Sequence, residues 1–319
     1  MQQETDHGVR RDAHAIATGV QVDARAIITD AEVADFRTNG FVIPKVGLPA
    51  DDAAWMRGVI EKVFRDNPDW HGIVRMPHIP LREGQQEGVK GGEELFKIAI
   101  HPTLIMAASR LVGPNLIMWG GEIFAKPAGT GKRTPWHQDC YNPAVKAGPG
   151  RRLPQSAQIW IAVDDVDPDN GSLSFIAGSG REGPIRHEQH QELRDLLNFE
   201  VDRSGLQDAR IVNSVLPSGH FSIHDLFVVH GANANTSGRR RAGLTFHYMA
   251  AEDVYDRSFG AAIGTGRDRP APLAQRPIWL VLGENKVPQN DFVTGHQNLS
   301  DLDAMAEARR RELTPQAAA

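Results

Sequence analysis

The sequence predicts a mainly β protein, an antiparallel β core with a helical layer braced against it at the N-terminal end. Two observations carry this. Up to about residue 113 apolar residues recur at helical spacing, whereas after Gly113-Pro114 they fall in short runs broken by Gly, Pro and Asn. Helices first and strands afterwards, with no linker-like tract between, suit two layers of one domain better than two domains. A chain of 319 residues buries about three quarters of its surface on folding, so such a core needs no disulfide or metal staple.

The elements follow in order. Residues 1–26 contain no aromatic residue and no apolar stretch of signal-peptide length, so 1–28 read as a mobile tail. Thr29 and Glu32 have capping-box spacing ahead of Val33 and Phe36, and Gly40 stops that helix. A short strand is expected over 41–43. Asp51 or Asp52 is expected to cap a second helix, whose Met56, Val59, Ile60, Val63 and Phe64 share one face. Residues 83–92 read as a polar, glycine-rich loop, and helices follow at 93–100 and 102–111, the latter opened by Pro102.

Strands are expected at 116–125, 158–163, 173–176, 221–223, 228–230 and 244–248, with a helix over 189–197 among them. An apolar covering strand at 276–283 and a last helix, capped by Ser300 and Asp303 and running to 313, complete the chain. The expected organisation is one domain over 29–319: a mostly helical layer over 29–113, a β core over 114–250, and a covering segment over 251–319.

Composition excludes several classes. Lys and Arg total 35 against 40 for Asp and Glu, a net charge of −5, so nothing favours nucleic acid or an anionic membrane. No apolar run approaches a membrane span, and the lone Cys140 allows no intrachain disulfide. The expected location is cytoplasmic. The acidic stretch from Asp165 to Gly171 misplaces the glycine of a calcium loop and offers Ile176 where the closing Glu is needed. Gly129-Thr-Gly131-Lys132 lacks the first glycine and the final Ser/Thr of a phosphate loop, and reads as a hairpin turn. His187 and His190 read as part of an exposed polar helix.

One constellation survives. On a β-strand residues two apart share a face, so His137 and Asp139 can offer an imidazole and a carboxylate to one metal ion, and His230 on a distant strand would complete the set. Two imidazoles and one carboxylate leave three positions open, as in non-haem Fe(II) oxygen chemistry. A His-x-Asp tripeptide arises about once by chance in a chain of this composition. Its company is more telling: Arg241 follows His230 by eleven places, across a turn into the next strand, and can pair two-pronged with a carboxylate.

In these residues the chain resembles the phytanoyl-CoA dioxygenase family of iron(II)- and 2-oxoglutarate-dependent oxygenases, which includes ectoine hydroxylase. The matching stretches are 32–43 (EVADFRTNGFVI), 124–141 (FAKPAGTGKRTPWHQDCY), 160–178 (WIAVDDVDPDNGSLSFIAG) and 221–248 (FSIHDLFVVHGANANTSGRRRAGLTFHY). The resemblance implies a double-stranded β-helix, or jelly roll, with Fe(II) held by His137, Asp139 and His230. It implies that Arg241 holds the distal carboxylate of 2-oxoglutarate and that Trp160 lines the co-substrate pocket. His224 is expected to support the ligands from behind. Many members carry Ser or Thr two places after the distal histidine, where this chain has Ala232, so Arg241 needs a different helper or water.

The implied reaction consumes O2 and 2-oxoglutarate, releases succinate and CO2, and hydroxylates an unactivated C–H bond of a small-molecule substrate, with desaturation or ring closure as variants. The intact Asp139 argues against halogenation, whose enzymes replace this carboxylate. Gln138 and Tyr141 are the substrate-side candidates, and the Gly- and Pro-rich stretch 142–154 is a candidate lid. Lys126, Lys132, Arg133, Lys146, Arg151 and Arg152 read as solvated loop charges. Two other readings stay open: a cupin-like metal-dependent isomerase or hydrolase that does not use 2-oxoglutarate and has no need of Arg241, and a non-catalytic jelly-roll module.

Overall fold

The computed structural model describes residues 23–69, 72–81, 87–141, 144–189, 195–206, 210–258 and 272–314. The N-terminal layer comprises α1 (Ala24–Ile27), α2 (Asp30–Asn39), β1 (Phe41–Val42), α3 (Ala50–Asp66), β2 (Ile73–Arg75), α4 (Phe96–Ala99) and α5 (Pro102–Val112). Order therefore starts before Thr29, since α1 delivers Ile27 and Ile28 into the core. Thr29 and Glu32 cap α2 reciprocally, and Gly40 ends it in the left-handed region at φ 82°. Neither Asp51 nor Asp52 caps α3. Pro49 occupies that position without a side-chain bond, and the acids sit in the first turn, where they complement the helix dipole.

Beyond α5 the strands are β3 (Leu116–Lys126), β4 (Thr134–His137), β5 (Val145–Lys146), β6 (Ser156–Ala162), β7 (Leu173–Ile176), β8 (His187–Gln189) and β9 (Phe199–Val201). They continue as β10 (Ile211–Asn213), β11 (Phe221–His224), β12 (His230–Ala232), β13 (Arg241–Ala250), β14 (Val254–Tyr255) and β15 (Trp279–Leu282), before the final α6 (Ser300–Leu313). A seven-stranded sheet runs β1-β11-β6-β13-β3-β15 with β2 also on β3, and a four-stranded sheet runs β10-β7-β12-β4. Every pairing is antiparallel, and the two sheets form the jelly roll.

Alternation on the large sheet divides two cores. Ala242, Leu244 and Phe246 of β13, with Ile159 and Ile161 of β6, join the helices in the main apolar core. Residues of the opposite parity face the small sheet, where Trp160, Ala162, Phe175, Leu173 and Ala232 pack together. Gly243 lies on this inner face for a steric reason: a Cβ there would stand 1.9 Å from Cζ2 of Trp160.

The covering segment acts as expected in one respect and departs in another. Strand β15 pairs with β3 and α6 packs on it. Asp303 does not cap α6; it accepts from Trp279 Nε1 at 2.9 Å, pinning helix to strand. The helix expected over 189–197 is not found where the chain is described: 187–189 form β8, paired with β9, while 190–194, including His190, lie outside the described residues. His187 thus sits on a strand, and its Nε2 accepts from Gln138 N at 3.0 Å.

Candidate metal centre

The small sheet builds the centre. His137 ends β4 and His230 begins β12, and the two are register partners across the antiparallel pair, which sets their ring centroids 4.2 Å apart. Asp139 does not continue the strand as its spacing suggested. The chain turns after His137 into a 3-10 turn over Asp139–Tyr141, and this turn swings the carboxylate back toward both rings. Asp139 Oδ1 stands 3.7 Å from Nε2 of His137 and 3.7 Å from Nε2 of His230. One ligand atom from each of the three lies within 4.8 Å of the others.

The protonation pattern suits a cation. Nδ1 of His137 lies 2.8 Å from Pro135 O, and Nδ1 of His230 lies 3.1 Å from Val228 O. Those carbonyls accept, so each Nδ1 carries the proton and each Nε2 presents a lone pair toward Asp139. Burial pushes both imidazoles toward the neutral form. Burial alone would raise the Asp139 carboxyl, but His230, His224 and His137 together hold it well below the usual carboxylate range. Two neutral imidazoles and one carboxylate therefore fit a divalent metal of the borderline class, with room for further ligands.

Around the three lies a supporting layer. His224 Nε2 is 3.1 Å from Asp139 Oδ2, which leaves Oδ1 facing the histidines. Asp225, which sequence reasoning passed over, accepts from Phe227 N at 2.8 Å and Val228 N at 2.7 Å and so shapes the turn that delivers His230. Its only sequence signal is a position ahead of a turn, common to many acids. Gln138 does not face a substrate. It is fully buried, donates to Gly183 O and Phe227 O, and accepts from Ile185 N at 2.7 Å, stapling a loop. The side chain of Tyr141 lies outside the described residues, as do Asn142 and Pro143. The remainder of the candidate lid is tied down: Gly148 N, Gln155 N and Arg151 all donate to the buried Asp253, and β5 pairs with β14. Cys140 is buried, and its thiol is pushed up to about 12 by burial and by Asp139 and Asp225, so it is not a nucleophile.

The large sheet carries the two residues expected to meet a co-substrate, Arg241 and Trp160. Arg241 opens β13, is 1% exposed, and lays its guanidinium 4.8 Å from the centre of the Trp160 ring. Its Nε donates to Gly171 O at 2.9 Å, and it has no acidic partner among the described residues. Burial lowers Arg241 to about 9, which still leaves it charged at neutral pH. Trp160 in turn packs in one cluster with Phe175, whose ring is 6.2 Å from His230. Arg133, by contrast, is paired with Asp195 and Glu200, Lys146 with Asp256, and Arg151 with Asp253. Lys126 breaks the expectation of solvated charges altogether, being 1% exposed.

Fold and site together define a jelly-roll protein of the non-haem metal oxygenase type. The phytanoyl-CoA dioxygenase family model matches residues 36–243, and the chain belongs to that family. It is 23% identical over 234 residues to the peroxisomal phytanoyl-CoA dioxygenase of Mus musculus, covering 68% of this chain and 67% of that protein. Among solved structures, the non-haem monooxygenase ThoJ superposes with a TM-score of 0.58 at 20% identity, over 88% of this chain and 96% of that one. The epimerase SnoN, solved with Fe3+, α-ketoglutarate and nogalamycin RO, gives 0.54 at 20% identity, over 78% and 97%. Among the described residues no single helix is long and apolar enough to cross a membrane.

Proposed function

We propose that the protein is an iron(II)- and 2-oxoglutarate-dependent dioxygenase that hydroxylates a C–H bond of a small organic molecule. The observation that carries the reading is the cluster of His137, Asp139 and His230 at the small sheet, together with a buried Arg241 on the large sheet that has no acidic partner among the described residues. When bound, iron with 2-oxoglutarate and O2 supplies the oxidising power to cleave an unactivated C–H bond, with release of succinate and CO2. His137 and His230 would hold the metal through Nε2 and Asp139 through Oδ1. His224 keeps the carboxylate turned, while the Pro135 and Val228 carbonyls fix the imidazole tautomers. Arg241 would take the distal carboxylate of the co-substrate, with Trp160 as a flat apolar wall beneath it. Family membership supports this assignment, and the small-molecule ligand held by SnoN supports the substrate class.

The test is anaerobic reconstitution with Fe(II) followed by 2-oxoglutarate, watching for the weak visible charge-transfer band of the chelate. The band is expected in the wild type and lost in folded His137→Ala and Arg241→Ala proteins, and 2-oxoglutarate turnover is expected to yield succinate. Iron binding without a band would favour a metal enzyme that does not use 2-oxoglutarate, for which Arg241 is dispensable. Absence of stoichiometric metal would leave a non-catalytic module.

A further inference from the structure

Lys126 is the last residue of β3, and in the ladder it stands directly opposite Arg241. Opposite residues of an antiparallel pair project to the same face, so both cations enter the space between the two sheets. Each is 1% exposed. They converge on one backbone feature: Arg241 Nε donates to Gly171 O at 2.9 Å, and a Cβ on Gly171 would meet Lys126 Nζ at 3.4 Å. Lys126 Nζ donates to Ala232 O at 3.2 Å and Asn233 O at 2.5 Å. Neither cation has a carboxylate partner among the described residues. Two like charges buried side by side are costly unless an anion joins them. The carbonyl oxygens solvate the ammonium but cannot neutralise it, and a neutral donor would serve them equally well.

We propose that Lys126 is a second cationic anchor for the distal carboxylate of the co-substrate, acting beside Arg241 in place of the hydroxyl that Ala232 lacks. The inference rests on the co-substrate reading above. An ammonium has three donors, and the two carbonyls use two of them, which leaves one for a carboxylate oxygen. The lysine reaches the backbone of position 232 itself, so the missing side-chain hydroxyl and the extra amine serve the same corner of the pocket. In the free protein, burial and the neighbouring Arg241 bring Lys126 down to about 6, with Arg133 acting in the same direction and Asp195 opposing. An arriving carboxylate favours the charged amine.

The experiment uses the full chain loaded with Zn(II), a redox-inert stand-in, and calorimetric titration with two ligands. These are 2-oxoglutarate and 2-oxobutyrate, which chelates alike but lacks the distal carboxylate. Lys126→Met and Lys126→Gln, the latter keeping N–H donors for the two carbonyls, are expected to weaken 2-oxoglutarate by about ten- to hundredfold. Binding of 2-oxobutyrate should change less than about twofold, a threshold well below one such hydrogen bond. Equal weakening of both ligands, or of neither, would overturn the inference and leave Lys126 a structural clasp. The wild type gives an independent readout: titrations at pH 7.5 in buffers of different ionisation enthalpy should show proton uptake with 2-oxoglutarate and none with 2-oxobutyrate, and no difference between the two counts against the anchor. If the wild type binds neither 2-oxo acid, it is the co-substrate reading that fails. Binding by the wild type with full retention in both variants refutes Lys126 alone.

Discussion

Gly243→Ala is the smallest change that should disable the proposed co-substrate half of the site. The added Cβ would lie 1.9 Å from Cζ2 of Trp160, 2.2 Å from Cε2 and 2.7 Å from Cη2, where ordinary contact begins at 3.4 Å. Relief needs the indole or β13 to move by the difference, 3.4 − 1.9, or 1.5 Å. Trp160 is 2% exposed and packs in one cluster with Ala162, Leu173 and Phe175, so moving the ring disturbs those neighbours. Overpacking of this kind costs about 1–3 kcal/mol. The same shift moves the ring from beneath the Arg241 guanidinium, now 4.8 Å from its centre, which forfeits about 0.5–2 kcal/mol of cation–π attraction. Urea unfolding of the metal-free protein should show the first loss, and titration of the Zn(II) form with 2-oxoglutarate a fall in affinity. Wild-type stability together with wild-type affinity would refute the close approach of Trp160 to β13 and its place beneath Arg241.

Further expectations follow from individual contacts. His224→Ala removes the 3.1 Å partner of Asp139 Oδ2, and chelator competition should show metal affinity lowered by about ten- to hundredfold with the three ligands intact. His78 is fully buried among Phe96, Phe246 and Trp279, neither ring nitrogen has a hydrogen-bond partner among the described residues, and burial brings it down to about 3. Its folded-state pKa lies below the unfolded value of about 6.5, so its contribution is complete above that pH and is lost as pH falls toward 3. Between pH 6.5 and 5 this should remove about 2 kcal/mol, and His78→Phe should flatten that part of the stability profile; an unchanged slope would contradict the burial of an uncharged ring. Asp253→Ala strips the acceptor from Gly148 N, Gln155 N and Arg151, and should cost about 2–4 kcal/mol in chemical denaturation and open the 147–155 segment to protease. Retained protease resistance would show that β5 and β14 alone hold the segment.

The sequence exposed those features that depend on local pattern or on types of residue with few alternative uses. The capping box of α2, the Gly40 stop and the apolar runs of β3, β6 and β13 are local, and they appear in place. The capping of α3 and α6 failed because the acids that look like caps have other uses: those of α3 sit in the first turn, and Asp303 binds Trp279. The short strands β8 and β9 escaped because three polar residues such as His187, Glu188 and Gln189 carry no strand pattern, and their pairing comes from a distant segment. Gln138 misled for a related reason. Adjacency to two metal-ligand candidates says nothing about direction, and after His137 the amide is directed into the protein, against Gly183 O and Phe227 O.

Lys126 illustrates the same limit from the opposite side. Read along the chain it is one of a run of loop cations, yet it follows Glu122 and Phe124 at period two on a strand that already shows an inward face. Only the register of β3 against β13 places it opposite Arg241. That register also explains why the site divides as it does. The small sheet brings His137 and His230 together by direct pairing, a short-range arrangement suited to a metal that needs atoms a few ångström apart. The large sheet carries Arg241, Lys126 and Trp160 on its inner face, so the cations are fixed by the spacing between sheets. On the proposed reading, a co-substrate that binds the metal at one end and this cation pair at the other would span that gap, and its length would be set by the packing of the two sheets. Insertions that change the sheet-to-sheet distance should shift selectivity among 2-oxo dicarboxylic acids of different length while leaving metal affinity as it is. A competitive titration with 2-oxoadipate against 2-oxoglutarate measures that coupling directly, and an unchanged preference in such a variant would place the length selection elsewhere.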